Sequence, residues 1–241
     1  MDSLNDTDIS PEMKSSRKLL TKDIAVPPSF DGFFSFPQKK TGYSGVATYT
    51  RTSSAVPLKA EEGLSGLLQP KPPLSPEERV SNASNYPSHL DDDVDLDDED
   101  ESQNIDPVIL DSEGRTLVLD FGLFVLINTY CPNDGTGSSE RLAFKAAYHT
   151  LLSRRVKALI EKEKREVIVV GDLNACAAII DHCEGAIMVE QGRKEGLEGE
   201  EGFWGKECRQ WLRDWLVESG GPLVDVVRSF WPDRKGMYTC E

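Results

Sequence analysis

Hydrophobic positions along the chain fall into runs with distinct periods, and the periods predict a short series of elements. Val167–Val170 is an unbroken apolar run between Arg165-Glu166 and Gly171. It predicts a strand covered on both faces. Upstream, Phe144, Tyr148, Leu151, Leu152, Val156, Leu159 and Ile160 recur with the 3.6-residue helical period. They predict a helix from a Ser138–Ser139 cap to about Lys164. Thr116–Phe121 and Leu123–Tyr130 predict two strands joined by a tight turn at Gly122. Near the start, "GFFSFP" and "GVATYTR" read as strands bounded by glycine and proline, with "AVPLKA" a third candidate. A short helix is expected over 12–24 and a loop over 185–205. "KECRQWLRDWLVE" (206–218) predicts an amphipathic helix with Trp211, Leu212, Trp215 and Leu216 on one side, and the final "GMYTC" a strand. Strand, helix and strand around a mainly apolar strand indicate an α/β layered fold.

Residues 69–107 break the pattern. "PKPPLSPEE", an Asn/Ser stretch and "DDDVDLDDEDE" follow one another with few apolar positions. The expectation is a disordered Pro/acidic insertion dividing 1–68 from 108–241. Nine acids lie in the eleven residues Asp91–Glu101, so the net charge of −15 falls to about −6 without them. Acidity therefore describes the insertion more than the folded part. The five cysteines, Cys131, Cys176, Cys183, Cys208 and Cys240, are odd in number and lack a C-x-x-C spacing. A disulfide framework is not expected, and a reducing compartment is. His182-Cys183 near Cys176 is only a weak metal signal, because structural zinc needs four well-spaced ligands. No run is long enough for a membrane helix, and the N-terminus is acidic and polar. These features predict a soluble intracellular protein.

Candidate chemistry gathers at strand ends, where α/β sheets place functional groups. Asp172 and Asn174 follow the apolar run two residues apart. Together they suit a hard cation, a phosphate or an attacking water. They equally suit a turn carboxylate and a helix cap before "ACAAII". Tyr130 and Asn133 end the strand in "INTYCPN". A tyrosine hydroxyl there can donate to a phosphate oxygen or simply rest its tip in water. Glu12 in "PEMK" reads alone as an ordinary first-turn helical glutamate. Tyr43-Ser44, between Gly42 and Gly45 with Lys39, Lys40 and Arg51 nearby, forms a basic loop able to touch a nucleic-acid backbone.

Together, "EMK", "GYSGVATYTR", "EEGLSG", "LDSEGR", "NTYCPN", "ERLAFK", "VVGDLN" and "IDH" occur in an order and spacing that resemble the exonuclease III-like AP endonucleases of the endonuclease/exonuclease/phosphatase superfamily. The resemblance is strongest to the eukaryotic AP endonuclease 2 branch, in a fungal style. It covers roughly 12–68 and 108–184. It implies a four-layer α/β sandwich, here incomplete at both termini, in which 1–68 and 108–241 form the N-terminal and central parts of one nuclease domain. It also implies Mg²⁺- or Mn²⁺-dependent cleavage of DNA at abasic sites and 3′ ends, in the nucleus with mitochondria as a second location. By the same resemblance Glu12, Asp172 and Asn174 serve the metal, Tyr130, Asp172 and Asn174 the catalysis, and Arg141 and Tyr43 the DNA. Expected partners are double-stranded DNA with abasic or 3′-blocked sites, and no membrane.

The sequence departs from that pattern. Pro11 stands where the family has Gln, and no "WN-x-NG" strand precedes Glu12. The later "SR-x-DY" and closing "DH" segments, the clamp-binding motif and the zinc finger have no counterpart here. His182 belongs to "IDH" and does not replace the closing histidine. Two alternatives follow: a truncated, catalytically impaired relative that retains at most DNA binding, or a superfamily phosphatase acting on small phosphoesters. The "GYSGVA" loop and the "ERL" arginine favour DNA over the latter.

Overall fold

The computed structural model describes residues 20–39, 42–87, 105–133, 135, 137–193, 196–198 and 202–237. Two sheets form among them. β1 (Phe30–Ser35) and β2 (Val46–Arg51) make an antiparallel hairpin. β3 (Lys59–Glu62), β4 (Thr116–Asp120), β5 (Phe124–Tyr130) and β6 (Glu166–Asp172) make a four-stranded sheet in that order. Its first two pairings are antiparallel and β5–β6 is parallel. The parallel step requires a crossover, and α3 (Ser139–Lys157) with the π-helical turn Ala158–Lys162 supplies it. Ser138 Oγ accepts the Arg141 N–H at 3.3 Å, so the expected cap is present.

The alternation along β5 sorts the layers. Val125, Ile127 and Thr129 are buried on one face, where Tyr148, Leu152, Val156 and Leu159 of the crossover pack. The hydroxyls of Thr116, Thr129 and Tyr148 meet within this face. On the other face, Asn128 Nδ2 donates to Ala47 O at 3.1 Å and to Thr48 Oγ1 at 3.0 Å, joining the two sheets. Outside the hairpin, Tyr49 donates to the Ile24 carbonyl of α1 (Lys22–Ala25) at 2.7 Å. Over the larger sheet, α5 (Glu207–Asp214) docks on α3: the indoles of Trp211 and Trp215 both donate to Ser153 Oγ, at 2.7 and 2.6 Å.

Several expectations change. Among the described residues, β6 is covered on one face only. Val167 and Val169 pack toward the crossover, whereas Ile168 and Val170 are 44% and 40% exposed. The apolar run fixed the strand but not its surroundings. The third strand begins at Lys59, beyond Pro57, because pairing with β4 sets its register. In place of disorder, residues 69–87 are packed. Tyr86 and Val80 are buried, and Glu61 Oε1 accepts the Tyr86 hydroxyl at 2.5 Å and the Val80 N–H at 2.9 Å. A few buried anchors outweigh the polar composition. Residues 88–104 lie outside the described set, but order resumes at α2 (Pro107–Asp111), capped by Asp106. The expected loop over 185–205 begins with most of α4 (Cys183–Glu190), whose first turn His182 Nδ1 caps by accepting Gly185 N–H. Of the helix expected over 12–24 and the final strand, the described residues include only α1 and the start of "GMYTC".

The quoted pair "EEGLSG" and "LDSEGR" proves to be one packed unit. Asp111 accepts the Leu64 N–H at 2.7 Å, the Ser65 N–H at 2.9 Å and the Ser65 hydroxyl at 2.5 Å. Burial pushes the Asp111 carboxyl above its usual range, against the pull of these donors.

Candidate catalytic and nucleic-acid site

Two strand ends build the site. Tyr130 and Asp172 are direct partners in the parallel register, so their side chains leave the same face of the sheet. The ladder continues one step further, with Cys131 N–H donating to Asp172 O at 2.8 Å. Gly171 makes this approach possible. Its φ is +114°, and a Cβ there would stand 2.0 Å from the Thr129 carbonyl oxygen.

Beyond Asp172 the chain turns sharply instead of entering a helix. Asp172 Oδ1 accepts the Asn174 N–H at 2.8 Å, and Asn174 takes a left-handed φ of +48°. The helix-cap alternative for Asn174 is therefore corrected, because no helix starts at Ala175. The turn-carboxylate alternative for Asp172 describes a bond the structure does contain. Asn174 is held on three sides. Its Nδ2 donates to Cys131 O at 2.7 Å, its Oδ1 accepts Asn133 Nδ2 at 3.2 Å, and its carbonyl accepts Lys145 Nζ at 2.9 Å.

A cationic wall stands beside this turn. Arg141, in the first turn of α3, donates from Nε to Asn133 O at 3.0 Å and from both terminal nitrogens to Glu113, at 3.0 and 3.2 Å. Buried Arg115 donates from Nε to the same carboxylate at 2.6 Å and from Nη1 to Tyr130 O at 2.9 Å. The Tyr43 ring lies 5.6 Å from the Arg115 guanidinium and 5.9 Å from that of Arg141. Arg115 also sits 4.9 Å from the Tyr130 ring centre. Ser44 fixes the Tyr43 loop by donating to Glu113 O at 2.5 Å.

The structure thus gathers Tyr43, Tyr130, Arg141, Asp172 and Asn174 into one contact network. Glu12 lies outside the described residues. Sequence reasoning missed Glu113, Arg115 and Lys145 as members. The quoted segments "LDSEGR" and "ERLAFK" contain them, but nothing local distinguishes them from surface charges. Cys131 lies behind the site, and burial pushes its thiol up to about 12. It is protonated at neutral pH and no nucleophile. Among the described residues, no three His, Cys, Asp or Glu side chains cluster to hold a metal.

No protein-family model matches the chain. Individual relatives do. It is 34% identical over 236 residues to DNA-(apurinic or apyrimidinic site) endonuclease 2 of Schizosaccharomyces pombe, covering 95% of this chain and 40% of that protein. The Bos taurus protein of the same name is 35% identical over 245 residues, with 95% and 41% covered. By sequence, this chain is similar to proteins named AP endonuclease 2. The fold agrees with that likeness. The crystal structure of the Xenopus laevis APE2 catalytic domain matches 94% of this chain and 64% of its own at a TM-score of 0.66 and 28% identity. The chain spans about two fifths of the length of the AP endonuclease 2 relatives it matches.

Proposed function

We propose that this chain hydrolyses phosphodiester bonds of DNA at abasic sites and at 3′ ends, as a repair nuclease of the nucleus. The supporting observation is the register that sets Tyr130 beside Asp172, with the Arg115–Arg141 wall one hydrogen-bonded step away. A phosphodiester needs cationic donors for its oxygens, a base for the attacking water and fixed geometry between them. Arg141 and Tyr43 hold the DNA strand, with Arg115 supporting both. Tyr130 donates to the scissile phosphate. Asp172 orients a water and takes its proton. The threefold hold on Asn174 sets its amide for the developing charge. Lys145 keeps the left-handed turn in place from below.

The donor set suits a divalent cation in kind. Asp172 and Asn174 offer hard oxygen donors in one turn, the chemistry of Mg²⁺ or Mn²⁺ sites, and Glu12 would complete the set. When bound, the ion would stabilise charge on the leaving oxygen. Double-stranded DNA with an abasic or 3′-blocked site is the partner this arrangement fits.

The test is cleavage of a duplex carrying one abasic site by the full chain in Mg²⁺, beside Asp172→Ala. Cleavage should depend on the ion and fall by about 10³-fold or more in the variant. Calorimetric Mn²⁺ binding should weaken in Asp172→Asn and in Glu12→Gln. A chain that neither cuts nor binds the duplex overturns the proposal. One that binds without cutting supports the impaired alternative.

A further inference from the structure

Glu113 is the least expected member of the site. An acid beside a phosphate-binding surface repels the ligand, so its presence needs a reason. Its geometry supplies one. One carboxylate holds Arg115 through Nε at 2.6 Å and Arg141 through both terminal nitrogens, at 3.0 and 3.2 Å. Arg115 stands before β4 and Arg141 in the first turn of α3, so the carboxylate ties the start of one element to the start of the other. Two guanidiniums against one carboxylate keep a net charge of +1. Tyr43 lies beneath both, and Phe144 lies 4.7 Å from Arg141. Arg141 is thereby fixed from several directions. Its Nε bond to Asn133 O, and the Asn133 bond to Asn174, carry that fixed position to the catalytic turn.

We propose that Glu113 is a positioning residue for recognition of a nucleic-acid backbone phosphate, holding Arg115 and Arg141 as one preorganised cationic fork. This rests on the nuclease reading above and names the residue that prepares its phosphate contact. The idea makes a prediction of opposite sign to simple electrostatics. Glu113→Gln removes a negative charge from the site. If charge alone governed binding, the variant would hold DNA more tightly. If Glu113 positions the arginines, the variant holds it more weakly, because each guanidinium must be ordered on binding.

The experiment measures anisotropy of a labelled abasic-site duplex with the full chain in EDTA, for wild type, Glu113→Gln and Glu113→Asp. Arginine Nε–H resonances of the free proteins are recorded alongside. Expected are a loss of about tenfold in affinity for Glu113→Gln, an intermediate loss for Glu113→Asp, and weakened protection of the Arg115 Nε–H in both. Should Glu113→Gln fail to fold, Glu113→Asp keeps the charge and decides the matter, since its shorter stem withdraws from Arg141. Affinity equal to or above wild type in the folded variants overturns the proposal alone. A wild-type chain that binds no duplex overturns the nuclease reading, and the phosphate role of Glu113 with it.

Discussion

Two clusters in this molecule are assembled from the same parts: a glutamate, two arginines and a tyrosine ring. In one, Glu61 faces Arg155 at 3.5 Å and Arg79 at 4.0 Å, and the Tyr86 ring lies 4.3 and 4.1 Å from their guanidiniums. In the other, Glu113 holds Arg115 and Arg141 beside the Tyr43 ring. Exposure of the carboxylate and one arginine separates them, while the second arginine runs the other way, Arg79 at 19% and Arg115 at 4%. The side chains of Arg155 and Glu61 are 1% and 5% exposed, those of Arg141 and Glu113 17% and 20%. The sealed cluster carries the same two-to-one charge closed around Glu61, and it fastens residues 69–87 to the domain. The open one keeps unspent positive charge at the rim of the site. The same residue types make a rivet in one place and a receptor in the other, and aperture decides which.

The contrast breaks most easily at the rivet. Arg155→Met leaves Glu61 buried without its nearest cation and should cost about 3–5 kcal/mol in urea unfolding. Arg141→Met, on the open cluster, should cost under about 1 kcal/mol while weakening DNA binding. Equal costs would mean that aperture is not the deciding variable. Next in size, Tyr86→Phe leaves the Ser81 N–H without its acceptor and removes one donor from the Glu61 carboxylate. The expected loss is about 1–3 kcal/mol by the same measurement.

Asp120 and Arg165 form a pair of intermediate aperture, 7% and 21% exposed. Burial pushes the Asp120 carboxyl upward, but the Arg165 hydrogen bond, the Gly122 amide and the Arg165 charge outweigh it and hold the carboxyl below its ordinary value. A lowered folded value means that this stability is complete above the unfolded carboxylate range near 4. It is lost as pH falls through the lower folded value. An acid titration of unfolding free energy should therefore flatten in Asp120→Asn, at a cost of about 1 kcal/mol at neutral pH. The smallest effect is Tyr43→Phe, expected to change stability by no more than about 0.5 kcal/mol. A larger loss would mark Tyr43 as part of a second rivet.

Much of the frame was legible. β4, β5, β6 and the crossover helix follow from apolar runs and helical period, although β4 is buried throughout while β5 and β6 alternate between more and less buried positions. Residues 69–87 were not legible, since four buried positions, Val80, Ser81, Tyr86 and Pro87, hold the segment amid prolines and serines. The exposure of Ile168 and Val170 was hidden too, because an apolar run records a strand and not what covers it. In the site, strand ends marked Tyr130, Asp172 and Asn174. Glu113, Arg115 and Lys145 stayed hidden because what distinguishes them is a partner far along the chain. Lys145 reaches a carbonyl 29 residues away, and Arg141 meets Glu113 across 28.

Val170, Gly171 and Asp172 stand side by side, and genetics would see three unlike positions. Under selection for folding alone, Val170 should accept many residues on its open face. Gly171 should accept none, because the Thr129 carbonyl already occupies the space of a Cβ. Asp172 should pass that screen and fail only when selection is for DNA cleavage. Three adjacent codons thus separate tolerance, architecture and chemistry.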